Sequence, residues 1–320
     1  MIKLRKLGHS DLEVSPIGVG VMQFAGGSGV IQAVNPTLSE ETRIEIVKTA
    51  LEEGINWFDT AELYGAGRSE KYLAEALDAL GEISKRAIVA TKWSSYLRFA
   101  GNIKKTIQER LDNLAPYSIG LYQIHNSKSF SSLIAQMNAM ADLVKDGNIR
   151  AVGVSNFNSD QMRTSQDVLE KRGLGLASNQ VHYNLLNRKI EYNGVLETAR
   201  ELGISLIAWA PLESGLLTGK FHKNPEILSR IPTVRRKRLE KKLEYSRPVI
   251  EALDGIASKY GSEPAQVALS WLIQQGEDFV AVPGASRVGH VAEGIGAMNL
   301  TLAAEDLDRL NEVSRDLSGS

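Results

Sequence analysis

Short apolar runs, most of them continuous, recur along the chain and set its rhythm: IGVGV at 17–21, INWFD at 55–59, AIVAT at 87–91 and IGLYQIH at 119–125. The second half continues with IRAVGVS at 149–155, LASNQVH at 176–182, ISLIAWA at 204–210 and FVAVPG at 279–284. Strands buried on both faces are continuously apolar, whereas half-exposed strands alternate, so these runs predict eight strands of a parallel sheet. Between them apolar residues fall at helical spacing, as at Ile44, Val47 and Leu51, and at Leu133, Met137, Met140, Leu143 and Val144. Gly54, Gly147 and Gly203 stand where a helix would end just before the next strand. Ser39, and Ser262 ahead of Glu263 and Pro264, read as helix N-caps.

Eight strand–helix units in 320 residues predict an α/β fold, a (β/α)8 TIM barrel formed by one domain over residues 1–320. The alternative, an open doubly wound sheet, normally carries a G-x-G-x-x-G turn after its first strand. Here GVGVMQFAGG runs instead into a long loop from Phe24 to Pro36. Residues 3–15 alternate around Gly8 and Ser10, which predicts an N-terminal hairpin plugging one end of the barrel. The segment LTLAAEDLDRLNEVSRDL predicts an extra C-terminal helix. An inserted loop at about 212–248 interrupts the rhythm between strands seven and eight. It contains the basic run RRKRLEKK at 235–242, which flanking acids mark as a solvated face rather than a flap over an anionic ligand.

Composition narrows the partners. Lysine plus arginine number 37 against 38 acidic residues, so no electrostatic footprint for nucleic acid or an anionic membrane exists, and a small molecule is the expected partner. Cysteine is absent, which removes thiolate nucleophiles and cysteine-ligated metals; no metal is expected. Neither an apolar leader nor a membrane-length apolar run is present, and a cytoplasmic location is the expectation. Nothing in the pattern sets an oligomeric state.

A parallel barrel brings the C-terminal ends of its strands to one face, where active sites are built. Reading those ends gives Met22 and Gln23, then Asp59 with Glu62 and Tyr64 behind it, Lys92, His125, Ser155 with Asn156, Gln180, Trp209 and the run Pro283 to Arg287. The early members form a proton-transfer set. A free tyrosine has a pKa near 10, and a neighbouring ammonium lowers it. Lys92 is the available ammonium, Asp59 the carboxylate that keeps it charged, and His125 a donor able to orient a carbonyl oxygen. A Schiff-base role for Lys92 needs a neutral amine, which Asp59 opposes.

These residues, in order, carry a family resemblance. FDTAELYG with Asp59 and Tyr64, ATKW with Lys92, LYQIH with His125, GVSNF at 153–157, NQVHYN at 179–184, AWAPLESGLLTGK at 208–220 and VPGASR at 282–287 resemble the aldo-keto reductases from about Leu4 to Leu317. The resemblance implies NADPH bound in the barrel mouth and a small-molecule carbonyl reduced by hydride transfer. Tyr64 would be the general acid, tuned by Lys92 and Asp59, with His125 holding the substrate oxygen. Ser155, Asn156 and Gln180 match positions that bond the nicotinamide carboxamide, and Trp209 matches an aromatic stacked on its ring. Met22 and Gln23 belong to the same implied cofactor set. Pro211, Leu212, Ser214, Gly215, Leu217 and Lys220 match the pyrophosphate loop. Gly284, Ala285, Ser286 and Arg287, at the loop and helix start, offer donors to an anion, with His290 in the same implied set; Arg287 matches a position that takes the adenosine 2′-phosphate, and Glu293 the acid that reads the adenine amino group. An arginine fork at 287 suits that phosphate and favours NADPH over NADH. Gly294 and His290 depart from the residues most relatives carry there, as Gly120 does in strand four. A second implied reading is a nucleotide-binding redox sensor or channel-associated subunit that turns over slowly.

Overall fold

The computed structural model describes residues 2–26, 37–230 and 233–315. Residues 27–36 of the expected loop from Phe24 to Pro36 lie outside the described residues. A two-stranded antiparallel hairpin, β1 (Arg5–Lys6) and β2 (Glu13–Val14), precedes everything else. Eight parallel strands follow: β3 (Val19–Gly20), β4 (Trp57–Asp59), β5 (Ile88–Trp93), β6 (Ile119–Ile124), β7 (Ile149–Ser155), β8 (Leu176–His182), β9 (Ser205–Trp209) and β10 (Phe279–Val282). Each pairs with its sequence neighbour, in the order β10-β9-β8-β7-β6-β5-β4-β3. The sheet closes on itself through backbone bonds from Gly18 N–H to Ala281 C=O (2.8 Å) and from Gly20 N–H to Pro283 C=O (2.9 Å). This is the (β/α)8 barrel that the eight apolar runs require.

Helices alternate with the strands: α1 (Glu40–Glu52), α2 (Arg68–Asp78), α3 (Gly101–Leu114), α4 (Leu133–Lys145), α5 (Ser159–Glu170) and α6 (Val195–Glu201). Ser39 caps α1 by accepting from Thr42 N–H, as its position suggested. Gly54, Gly147 and Gly203 take positive φ of 90°, 74° and 64°, the left-handed turn that returns the chain from helix to strand.

Two readings of the sequence need correction. The segment expected as a loop to residue 248 holds short helical turns and α7 (Lys220–Lys223), then α8 (Thr233–Tyr260), which includes Pro248. An internal proline costs a helix about 3 kcal/mol. Burial of Leu239, Val249, Ile250, Leu253 and Ile256 against the core outweighs it. At α9 (Pro264–Ile273) the N-cap is Glu263 rather than Ser262, and Gln266 reaches back to its N–H at 2.9 Å. The last two helices among the described residues are α10 (Val288–Asn299) and the extra helix α11 (Ala304–Arg315).

Apolar burial falls into two bodies. The larger lies between barrel and helices. The smaller fills the barrel interior, where Leu7, Leu12 and Val14 of the hairpin pack with Trp57, Leu121, Ile207 and Val280. The hairpin therefore seals the end opposite the strand C-termini, and Trp57 Nε1 donates to Ser15 C=O at 2.9 Å to hold it there.

Candidate active site

Asp59 ends β4, Lys92 stands one residue from the end of β5, and His125 follows β6 directly, so all three leave the barrel on the same face. The Lys92 ammonium is completely buried. It donates to Asp59 Oδ2 at 2.5 Å and to Thr60 C=O at 2.8 Å. Burial alone would strip its proton, but Asp59 and Tyr64 hold its pKa above the usual lysine value, so it remains charged. The other oxygen of Asp59 accepts from Gln123 Nε2 (3.2 Å) and Gln180 Nε2 (3.0 Å). Gln180, expected against a cofactor amide, thus spends a donor on the carboxylate. Gln123 was missed by sequence reasoning; the available signal was a lone amide inside the fully buried strand IGLYQI.

Tyr64 lies in the loop between β4 and α2, its ring centroid 5.3 Å from Lys92 Nζ, close enough for the ammonium to act on the phenol. The expected direction of its acidity is not the net one. Burial raises the Tyr64 pKa above 10, Lys92 pulls it down and Asp59 pushes it up, and burial prevails. The ammonium works as anticipated but moderates a rise instead of producing a fall. The His125 ring stands edge-on to Tyr64, 5.9 Å between centroids at 85°. Burial first, then the charge of Lys92, lowers its pKa to about 4. His125 Nδ1 is buried without a partner, so the neutral ring best carries its proton on Nε2, where a bound oxygen can accept it.

On the other side of the mouth, Ser155, Asn156, Gln180 and Trp209 come together. Ser155 Oγ donates to Gln180 C=O (3.0 Å), Asn156 Nδ2 to Ser155 Oγ (2.9 Å) and Trp209 Nε1 to Asn156 Oδ1 (3.0 Å). One face of the indole is covered by His182, stacked at 4.2 Å and 14°. His182 bonds Glu213 Oε2 at 2.8 Å, and Lys242 of α8 bonds Glu213 Oε1 at 2.6 Å. Burial raises the Glu213 pKa, but donors from His182, Lys242 and Asn184 prevail and hold it at about 2.

The remaining expected cofactor residues follow three strands: Pro211 to Lys220 after β9, Gly284 to Glu293 after β10, and Met22 and Gln23 after β3. Pro211 is buried and Leu212 half-buried, while Glu213, Ser214 and Gly215 carry consecutive positive φ of 45°, 57° and 88° that fold the loop back and leave Ser214 exposed. Leu217 is fully buried, so its side chain anchors this loop in the core. Lys220 is exposed at the start of α7. Met22 is half-exposed, and Gln23 packs directly on Gly284, where any Cβ would collide with it. Arg287 precedes α10 and pairs with Glu293 at 3.1 Å. Ser286 N–H donates to His290 Nδ1 at 3.2 Å, and burial with the nearby Arg287 and Lys220 holds that imidazole at a pKa of about 4. Arg287 and Glu293, expected to meet different parts of one nucleotide, satisfy each other here. The set nonetheless fits a dinucleotide. It offers a half-buried aromatic with amides at one end, a folded-back loop in the middle, and an exposed guanidinium beside a helix N-terminus at the other.

A sealed barrel with a buried carboxylate–ammonium pair, a phenol and a neutral imidazole at its open mouth defines a barrel oxidoreductase using a nicotinamide cofactor. A model of the Aldo/keto reductase family matches residues 16–315, and the chain belongs to that family. It is 32% identical to the chloroplastic pyridoxal reductase of Arabidopsis thaliana over 326 residues, covering 98% of this chain and 86% of that one. It is 30% identical to the 6-dehydroglucose reductase of Novosphingobium aromaticivorans, covering 94% and 92%. A crystal structure of the thermostable aldo-keto reductase Tm1743 with the inhibitor epalrestat superposes with a TM-score of 0.76 at 26% identity, covering 97% of this chain and 99% of that one. Among the described residues no helix is long and apolar enough to cross a membrane.

Proposed function

We propose that the protein reduces aldehydes or ketones to alcohols with NADPH, Tyr64 acting as the general acid. The observation that carries this reading is the convergence of Asp59, Lys92, Tyr64 and His125 from three successive strand ends on one mouth. When bound there, a reduced nicotinamide supplies a hydride to the carbonyl carbon. Trp209, one face already backed by His182, would hold the ring on its other face, and Ser155 and Asn156 would take its amide. His125 Nε2–H orients the carbonyl oxygen. Tyr64 delivers the proton to that oxygen, and its raised pKa keeps the phenol protonated until negative charge develops there. Lys92 then stabilises the phenolate left behind, and solvent returns the proton.

The preference for NADPH rests on the exposed Arg287 guanidinium, which can leave Glu293 for a 2′-phosphate. The substrate side is apolar: Leu63, Tyr96, Leu97, Phe99 and Phe130 are exposed on the loops after β4, β5 and β6, with Phe99 and Phe130 rings 5.3 Å apart. We therefore expect carbonyl compounds bearing an aromatic or branched apolar group. Two similar proteins are named as reductases of pyridoxal and of 6-dehydroglucose, so a carbonyl substrate accords with them while their particular substrates do not transfer. The test is NADPH oxidation with an aromatic aldehyde. Tyr64→Phe should cost at least ~100-fold in kcat while retaining cofactor affinity; full turnover in that variant refutes the assignment. Oxidation taking many minutes in a single turnover, with every carbonyl tried, would favour a nucleotide sensor instead.

A further inference from the structure

Glu62 leaves the end of β4 between Asp59 and Tyr64, and the chemistry above does not use it. It is 5% exposed, too buried for an incidental loop carboxylate. Its Oε1 accepts from Ser94 N–H and from Arg98 Nη1 (2.7 Å), and its Oε2 from Arg110 Nη1 of α3 (2.7 Å). Arg110 is itself 3% exposed and continues the chain of charges. Its Nε lies 2.9 Å from Glu70 Oε2 of α2, near enough for charge pairing though off the hydrogen-bond axis. Glu70 in turn accepts from Thr91 Oγ1 (2.7 Å) and Asn113 Nδ2 (3.0 Å).

The consequence lies in what these groups are attached to. Thr91 is the residue before Lys92, and Glu62 N–H donates to the Lys92 carbonyl at 3.3 Å. Gly67 N–H donates to Glu62 C=O (2.8 Å) and Tyr64 N–H to Ala61 C=O (3.0 Å), so the loop is a tight turn with Tyr64 beside its anchored foot. One guanidinium thus ties the loop bearing the phenol and the strand bearing the ammonium to the same two helices. We propose that Glu62 is a positioning residue, whose carboxylate, clamped by Arg110 and Arg98, holds the Tyr64 loop in register with Lys92. A misplacement of about 1 Å at a reacting group can cost on the order of 100-fold in rate, so a clamp two residues away has leverage on kcat.

The proposal rests on Tyr64 being the proton donor, and the test separates the two ideas. In Glu62→Gln the charge goes but the shape stays. In Arg110→Lys the charge stays, but the fork that reaches both carboxylates is lost. Both should lower kcat about 10- to 100-fold while NADPH binds at one per chain with an affinity within about threefold of the parent. With NADPH deuterated at the transferred position, the isotope effect on kcat should grow, because the chemical step has slowed. Glu109→Gln, which removes an exposed partner of the same Arg110, should change nothing. Should Glu62→Gln fail to fold, Arg98→Ala, at the half-exposed edge of the network, should give a milder form of the same signature. Unchanged kcat in Glu62→Gln and Arg110→Lys beside an inactive Tyr64→Phe overturns the positioning role alone. Loss of kcat in step with loss of binding sites also overturns it, in favour of a purely structural clamp. An active Tyr64→Phe overturns the donor assignment, and the positioning role with it.

Discussion

The protonation state of His125 sets a measurable acid sensitivity. Its pKa of about 4 lies below the value near 6.5 of an unfolded chain. Because the folded value is the lower one, the unfolded chain binds the proton first as pH falls. The residue therefore stabilises the fold fully above about pH 6.5 and loses that contribution as pH drops toward 4. At pH 5, roughly 97% of unfolded imidazoles but only about a tenth of the folded ones would be charged. That difference is worth ~2 kcal/mol of stability lost between pH 8 and pH 5 from this side chain alone. We predict that His125→Asn removes this increment. The assay is urea denaturation of both proteins at the two pH values, comparing the pH-induced changes. His290, also held near 4, is present in both and cancels. Equal losses in the two proteins would refute the neutral, buried imidazole, and so would an inflection in kcat/KM near pH 6.5 that vanishes in His125→Asn.

Lys92→Met should destabilise the fold by about 3–5 kcal/mol, because the Asp59 carboxylate would be left buried with amide donors and no cation; a loss under ~1 kcal/mol by chemical denaturation would contradict this. Arg287→Ala should weaken NADPH about 10- to 100-fold with little effect on NADH, the loss of a charge-assisted contact, and equal effects on both nucleotides in a fluorescence titration would dismiss the 2′-phosphate role. Leu12→Ala, at the fully buried tip of the hairpin, should cost about 2–5 kcal/mol while the folded fraction keeps its cofactor affinity, checked by thermal denaturation beside binding.

The barrel was legible because its strands are buried almost throughout and hence written as mostly apolar runs, so that a polar residue at a strand end stands out. Asp59, Lys92 and His125 were found that way. Gln123 escaped, since its amide lies inside a run and its purpose appears only when Asp59, 64 residues earlier, is brought against it. The clamp on Glu62 escaped for the same reason: Arg110 reads as one more charge on an amphipathic helix until α3 is packed beside α2. The sign of the Tyr64 shift depends on how deeply the phenol sinks, a quantity local sequence does not encode. The segment expected as an inserted loop up to residue 248 misled in the opposite sense, because its break in the rhythm hid α8, whose apolar face packs on the core.

With the hairpin stoppering its floor, the barrel is a cup with a single doorway. Whatever lodges deepest must arrive first and depart last, since among the described residues the hairpin and the packed interior close the far end. If the nicotinamide occupies the base of the cup beneath the apolar lip, traffic becomes a queue: nucleotide in, carbonyl in, alcohol out, spent nucleotide out. Steady-state inhibition by the alcohol and by the oxidised nucleotide would then follow the pattern of a compulsory order, imposed by the hairpin of residues 5–14 at the far end of the molecule.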